Sequence, residues 1–495
     1  MKSKLTKLLT LVLTLTFILA CFAGCGNTEE NEGGKETTAN TEADTTDELK
    51  VALDELGDIN WGGGEFGILT YSGFKDEVYG EYGSQEEGSS SQVISDAVYE
   101  RNVLFEERCK LKLSIIEKES AAVDTSIQQE SQTASGDFYF VNHYLERTAN
   151  AAVNGYLYNY LDLGVDLDNP WWDSGTADFA LADNIFFMTG DTNFADDNVT
   201  YVLIFNKKMQ KDYNVADPYQ TVKDSKWTLS YFNQVIQGIS SDNGDGKWDE
   251  NDTYGFLTTW EYGNTFFLGC DLRYINNSRD TDVPTLFLED NMDKALEVVN
   301  LARQIYHNNN ATFMSPPGKE GQGLTAFKED RGLFYGEVAS YLPKLNSEMG
   351  DYYGVLPVPK YDEAQQYYRT WTHDSGSCLS ITSAVSEDQA ETVGNIVQAY
   401  AILSSQKVKP AYYDIMLTTR NVTDAESSEM LDIIFQNRVY DMAFYYKTIF
   451  TGYYDLVKTC VNDNKDTFSS SYKSVSKTFS TRINSMIKKL ENSKK

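Results

Sequence analysis

Between Asp191 and Gly255 the chain reads as strand, helix, turn and strand in close succession, and that order limits what it can fold into. Thr200–Phe205 (TYVLIF) is rich in β-branched and aromatic residues, a strand pattern. A helix follows. Thr228 can cap it, and Phe232, Val235, Ile236 and Ile239 repeat at helical spacing. Ser241–Asp252 (SDNGDGKWDEND) is an acidic, glycine-bearing turn, and Tyr254-Gly-Phe-Leu-Thr-Thr-Trp260-Glu-Tyr262 reads as a strand running into an aromatic loop. The same alternation precedes this stretch. Phe66–Tyr71 is a strand pattern; Ile94, Ala97, Val98, Phe105 and Arg108 share one helical face; Lys110–Glu117 alternates as a strand does; Asp137–Asn142 is a further strand that ends in His143-Tyr144. Helix and strand in repeated alternation predict an α/β chain with mostly parallel sheet. The length suits two domains, and no tandem repeat of solenoid or propeller type is present.

The N-terminus predicts a compartment. Lys2, Lys4 and Lys7 precede the apolar run Leu8–Cys21, which is too short for a membrane span, so residues 1–24 read as a signal peptide. The run ends in Phe22-Ala-Gly-Cys25, which looks like a bacterial lipobox with Phe22 where Leu is usual; Cys25 is then the lipidated residue. Residues 25–60 are expected to be a disordered acidic tether, because they offer too little apolar surface to offset ordering. No later segment is long and apolar enough to span a bilayer. The formal charge of −32 becomes −35 once the three signal lysines are removed, which disfavours nucleic acid and direct adhesion to anionic lipid. Cys109, Cys270, Cys378 and Cys460 are widely spaced without a CxxC pair and read as isolated buried thiols.

The order of several weak motifs resembles the extracellular solute-binding proteins of ABC transporters, family 1, the sugar-type group. These are the lipobox, the NGYL after Ala149–Val153, the YVLIFNKKM passage, the Asp/Gly loop, Thr325–Glu337 (TAFKEDRGLFYGE), the Gly-x-Leu-Pro-x-Pro of Tyr353–Lys360, and Thr370–Ile381 (TWTHDSGSCLSI). The resemblance covers nearly all of the body. It implies a two-lobed periplasmic-binding-protein-like fold of type II, maltose-binding-like, with three crossovers and the ligand cleft between the lobes. Residues 61–194 and 323–368 would form lobe 1, and 195–322 and 369–495 lobe 2. It implies the lipid-anchored binding component of an importer on the outer face of a Gram-positive cell membrane, a monomer. Its partners would be a carbohydrate, an oligosaccharide first, and ABC permease subunits. The same fold with a peptide or polyol ligand is the alternative; a secreted glycan-active enzyme or an adhesin is a more remote one.

An enzyme reading has no positive support. Only His143, His307 and His373 are present, which excludes a His-rich metal site, and no nucleophile elbow, HExxH or phosphate loop appears. No catalytic cofactor is expected. Aromatic residues are 13% of the chain, with 33 Tyr, and a sugar site needs flat apolar faces beside fixed carboxylates and amides. Ligands of α/β lobes collect outside the carboxyl ends of strands. The candidates there are Tyr71, His143, Tyr144, Trp260, Tyr262, Tyr335, Glu337, Trp371 and His373, with Trp260, Tyr335 and Trp371 foremost. Asn169-Pro-Trp-Trp-Asp173 could stack on a sugar or anchor a loop in the core. The Ser241–Asp252 turn has the spacing of a calcium loop: Ser241, Asn243, Asp245, the Lys247 carbonyl, Asp249 and Asp252 at the ligating positions, and Gly246 at the sixth. Ser241 and Asp252 depart from the usual Asp and Glu. A structural Ca2+ is expected, against a metal-free Asp/Gly turn.

Overall fold

The computed structural model describes residues 48–73, 92–181, 183–279, 281, 283–349, 352–418 and 425–493. The expected signal peptide, the expected lipidation at Cys25 and the expected tether up to 47 lie outside the described residues. From residue 48 the chain is already ordered, and here the expected tether needs correction. Residues 48–55 are helical, and Leu49, Ala52, Leu53 and Leu56 pack against a core that also takes Ile59. Leu49, Leu53 and Leu56 recur at helical spacing, so the last part of the acidic segment does carry an apolar stripe. Arg108 fastens it by donating to the carbonyls of Leu53 and Gly57.

Two five-stranded sheets organise the body. The first is built from β1 (Glu65–Tyr71), β2 (Lys112–Lys118), β3 (Phe140–Tyr144) and β4 (Phe187–Met188). The second takes β5 (Tyr201–Asn206), β6 (Tyr254–Thr259), β7 (Thr312–Ser315), β8 (Gly332–Val338) and β9 (Tyr353–Leu356). Then β10 (Ser377–Ile381) returns to the first, giving the orders β2-β1-β3-β10-β4 and β9-β5-β8-β6-β7. β1 runs parallel to β2 and β3, and β8 parallel to β6. One strand in each sheet, β10 and β5, runs antiparallel to its neighbours. These two strands adjoin the crossovers.

The pairing corrects the expected lobe boundaries. β8 and β9, expected in lobe 1, pair with β5 in the second sheet, and β10, expected in lobe 2, pairs with β3 and β4 in the first. β8 is buried along nearly its whole length, so its residues show two apolar faces and nothing in their order says which sheet they join. The chain thus leaves the first sheet at 189–200 and returns at 372–376. It passes over once more along the helix Ala390–Thr418, whose Val393–Leu403 part packs with β1 and β10 and whose Val408–Tyr412 part packs with β5 and β8. Both tryptophans of the Asn169–Asp173 cluster are 5% exposed and belong to the core. Cys109, Cys270, Cys378 and Cys460 are buried and form no disulfide with one another. Among the described residues no helix is long and apolar enough to cross a membrane.

The ordered 48–60 segment leads to a direct expectation. A chain beginning at residue 61 should be less stable in urea than one beginning at 48, by about 2 kcal/mol or more, since fully burying an Ile contributes about 1.5–3 kcal/mol and Ile59 is buried while Leu49, Leu53 and Leu56 are partly so. Equal midpoints would mean that the segment behaves as a tether after all.

Candidate functional site

The parallel strands bring their carboxyl ends to the level of the crossovers. From the first sheet come Tyr71, at the end of β1, and Tyr144, at the end of β3, both half-buried with ring centroids 4.7 Å apart. Glu146 follows, its backbone N–H donating to the Asp374 carbonyl of the second crossover. From the second sheet β6 runs into Trp260 and Glu261, and β8 ends beside Glu337. His373 and Asp374 sit on the crossover itself. His373 Nδ1 lies 2.8 Å from Ser375 Oγ and 3.1 Å from Asp374.

The C-terminal segment closes this ring of groups. Tyr454 donates to Glu261 at 3.0 Å, and its hydroxyl is 3.4 Å from His373 Nε2. Lys458 pairs with Glu261 at 3.5 Å and lies 4.3 Å over the half-buried Trp260 ring. Lys447 pairs with Asp374 and, at 3.4 Å, with Glu146, and stands 3.9 Å over the Tyr454 ring. One ammonium therefore links a carboxylate in the helix after β3, the crossover and an aromatic ring of the C-terminal segment. Burial raises the Glu261 carboxyl above the usual range, and the Lys458 charge opposes that shift. Burial likewise pushes Glu337, 6% exposed, up to about 7.

Four candidates do not face this space. His143, Tyr262, Tyr335 and Trp371 are each fully buried. His143 Nε2 lies 3.3 Å from Asp124, and burial lowers its basicity. Tyr262 donates to the Val202 carbonyl at 2.9 Å. Tyr335 packs among the helices beside the second sheet, with Phe327 at 5.7 Å, and Trp371 stacks on Tyr201 at 5.1 Å and 15°. For His143 and Tyr335 the cause is strand alternation, which decides whether a ring near a strand end points out or into the core; Tyr262 instead opens the buried helix Tyr262–Gly269, and Trp371 lies on the second crossover against Tyr201. Sequence reasoning missed Glu146, Glu261, Asp374, Lys447, Tyr454 and Lys458. Glu261 carried a signal, since it stands between two aromatic candidates; Lys447, Tyr454 and Lys458 lie in a Tyr-rich stretch with no motif.

A void of about 730 Å3 lies elsewhere, at the β4 edge. Its lining includes Trp172, Asp173, Asp191, Asp197, Lys409, Tyr413 and Arg438. Arg438 is ion-paired with Asp173 at 3.0 Å, Asp196 at 3.2 Å and Asp197, and Lys409 with Asp191 at 2.8 Å. The charges there hold a loop of the first lobe, a crossover helix and the chain after Gln436 together. Size alone does not outweigh the half-buried aromatics Tyr71, Tyr144, Trp260 and Tyr454 gathered with carboxylates near the strand ends.

The Asp/Gly turn closes on its own backbone. Ser241 pairs with Thr253 through both N–H···O bonds. Asn243 accepts from Asp245 N at 3.0 Å, Asp245 from Lys247 N at 2.8 Å, and Asp249 from Asn251 N at 2.9 Å. Asp252, 1% exposed, accepts from Asn243 N and Asp249 N, both at 2.8 Å. Gly246 has φ +76°, the left-handed turn that the sixth position of a calcium loop needs. Among the described residues, no three His, Cys, Asp or Glu side chains converge as a metal would require.

No family model and no curated protein matches the chain. Solved structures do. The sugar-binding protein MalE of the phytopathogen Xanthomonas citri is similar at TM-score 0.55 and 12% identity, over 86% of this chain and 98% of that one. The fold is that of the maltose-binding-like periplasmic binding proteins. A cyclo/maltodextrin-binding protein complexed with maltotetraose gives 0.53 at 10% identity, over 86% and 96% of the two chains. An ABC substrate-binding protein from Listeria monocytogenes in complex with cycloalternan gives 0.52 at 12%, over 84% and 99%. These neighbours are binding proteins, not enzymes, and at such identity the likeness is one of fold.

Glu337 gives a pH expectation. The folded chain keeps a proton on it up to about pH 7, whereas the unfolded chain releases it near 4.5, so its ionisation destabilises the fold as pH rises through that window. Glu337→Gln should remove this slope, on the order of 3 kcal/mol at pH 8 relative to pH 4. Parallel stability–pH curves for the two proteins would show that Glu337 is not buried as described.

Proposed function

We propose that this chain is the lipid-anchored substrate-binding component of an ABC importer, and that it captures a carbohydrate, an oligosaccharide first, for delivery to permease subunits. The observation that carries the reading is the ring of Tyr71, Tyr144, Trp260 and Tyr454 faces set among Glu146, Glu261 and Asp374 where the two lobes meet. Flat apolar faces suit the C–H faces of sugars, and fixed carboxylates accept from their hydroxyls. The sugar-binding neighbours of the same fold support the choice of ligand class. Contacts to both lobes would make the ligand favour a closed arrangement, which the permease partners could read. Anchoring through Cys25, placement on the outer face of a Gram-positive membrane and a monomeric state rest on the N-terminal sequence and the family resemblance.

A thermal-shift and calorimetric screen of Leu49–Lys495 against mono- and oligosaccharides tests the reading. A ligand at a hundred times its dissociation constant stabilises by about 2.7 kcal/mol. Trp260→Ala should weaken binding of the sugar so found by roughly tenfold or more, with a small change in melting temperature. Response to peptides or polyols with none to glycans would move the reading to a non-sugar solute of the same fold; turnover of glycans would point to an enzyme.

We also propose a structural calcium ion at Ser241–Asp252, supported by the ligand spacing and the Gly246 turn; to hold it, Asp245, Asp249 and Asp252 would have to turn from the loop N–H groups they now accept from. Calcium should raise the melting temperature reversibly with EDTA, and Asp245→Ala should abolish the rise. An unchanged melting curve at millimolar calcium would establish the metal-free turn.

A further inference from the structure

The last 29 residues reverse the charge of the rest. From Thr467 to Lys495 there are seven Lys or Arg and one acid, Glu491, in a chain of net −32. The ion pairs of this region end just before it, at Lys465–Asp463 and Arg303–Asp466. Two helices carry the excess, Phe468–Ser476 and Phe479–Ser493. Phe479, Ile483, Met486 and Leu490 form the buried stripe of the second, with Phe479 stacked on Phe450 at 5.9 Å. Arg482 is spent on the Ile449 carbonyl. Lys473, Lys477, Lys488 and Lys489 are exposed, and between them lie exposed Ser474, Ser480, Thr481, Asn484 and Ser485. Only Lys489 has a neutral partner, Asn154 Oδ1, and that leaves its charge in place.

We propose that this C-terminal helical pair is a docking surface for an anionic phospholipid membrane. Its apolar stripe is used inside the fold, so it offers charge without an inserting face. Its cations are lysines among small polar residues, with no exposed aromatic between them. A protein interface would need aromatic or arginine anchors. Strongly hydrated point charges on flexible stems suit a fluid layer of phosphate headgroups, where each contributes about 1 kcal/mol within a Debye length. That length is about 8 Å at physiological salt, so the acidic remainder of the surface is screened from the contact. The overall charge predicts repulsion from anionic lipid; the local distribution reverses that prediction at this end of the molecule.

The test uses Leu49–Lys495, the compact unit that holds the described strands and the C-terminal helices, free of any lipid anchor. It is sedimented with vesicles of phosphatidylcholine alone or with added phosphatidylglycerol. Binding is expected only with phosphatidylglycerol, at low salt, and released at 0.5 M salt. Lys473→Gln, Lys477→Gln and Lys488→Gln together should weaken it roughly a hundredfold, with melting temperature and any sugar-induced shift unchanged. Absence of sedimentation with phosphatidylglycerol at low salt overturns the proposal, as does equal binding by the triple variant. Retention on a soluble polyanion without vesicle binding would also overturn it, in favour of a polymer ligand. None of these outcomes depends on which solute the cleft takes.

Discussion

Two chain segments lying side by side hold the molecule together. Thr200 and Thr372 form an antiparallel bridge, their hydroxyls 2.9 Å apart. His373 N donates to the Val199 carbonyl at 3.0 Å, and Thr370 Oγ1 donates to the Tyr201 carbonyl. Trp371 stacks on Tyr201, Phe444 packs on Trp371, and Tyr445 donates to the Thr372 carbonyl at 2.7 Å. Two crossovers bonded to each other make one joint where each alone would be a loop. That joint sets where the strand ends of one sheet stand relative to those of the other, and so sets the candidate site.

Tyrosine is used here mostly as structural glue. Tyr160, Tyr262, Tyr306, Tyr445 and Tyr446 each bury a ring and donate to a backbone carbonyl that would otherwise lack that partner. A buried ring contributes apolar area while its hydroxyl satisfies a polar atom, so a tyrosine-rich chain can build wide inter-element packing without orphaning carbonyls. This is why aromatic content alone says little about which rings line a site.

The few cations serve as joints in an acidic chain. Arg438 gathers Asp173, Asp196 and Asp197, and Lys447 gathers Glu146 and Asp374. Desolvating such charges costs much of what their attraction returns, but removing one partner would strand the others in a poorly solvated place. These pairs specify which segments meet more than they add net stability. Lys473, Lys477, Lys488 and Lys489 differ because, among the described residues, none of them is ion-paired with an acid.

The alternation of strand and helix, the YVLIF strand and the Thr228 cap were all legible in the residue order, because local periodicity records which face is apolar. So was the place of Tyr144 and Trp260 at strand ends, though not how far each ring is buried. The sequence by itself determined an α/β chain with strand ends rich in aromatics and acids. Only the tertiary structure decided that β8 and β9 join the second sheet and β10 the first, since a strand buried on both faces carries no mark of its neighbours. It also decided that Trp371 and Tyr335 turn inward while Tyr454, Lys447 and Lys458 arrive from far along the chain. Contacts across hundreds of residues depend on how whole layers pack, and no local pattern encodes that.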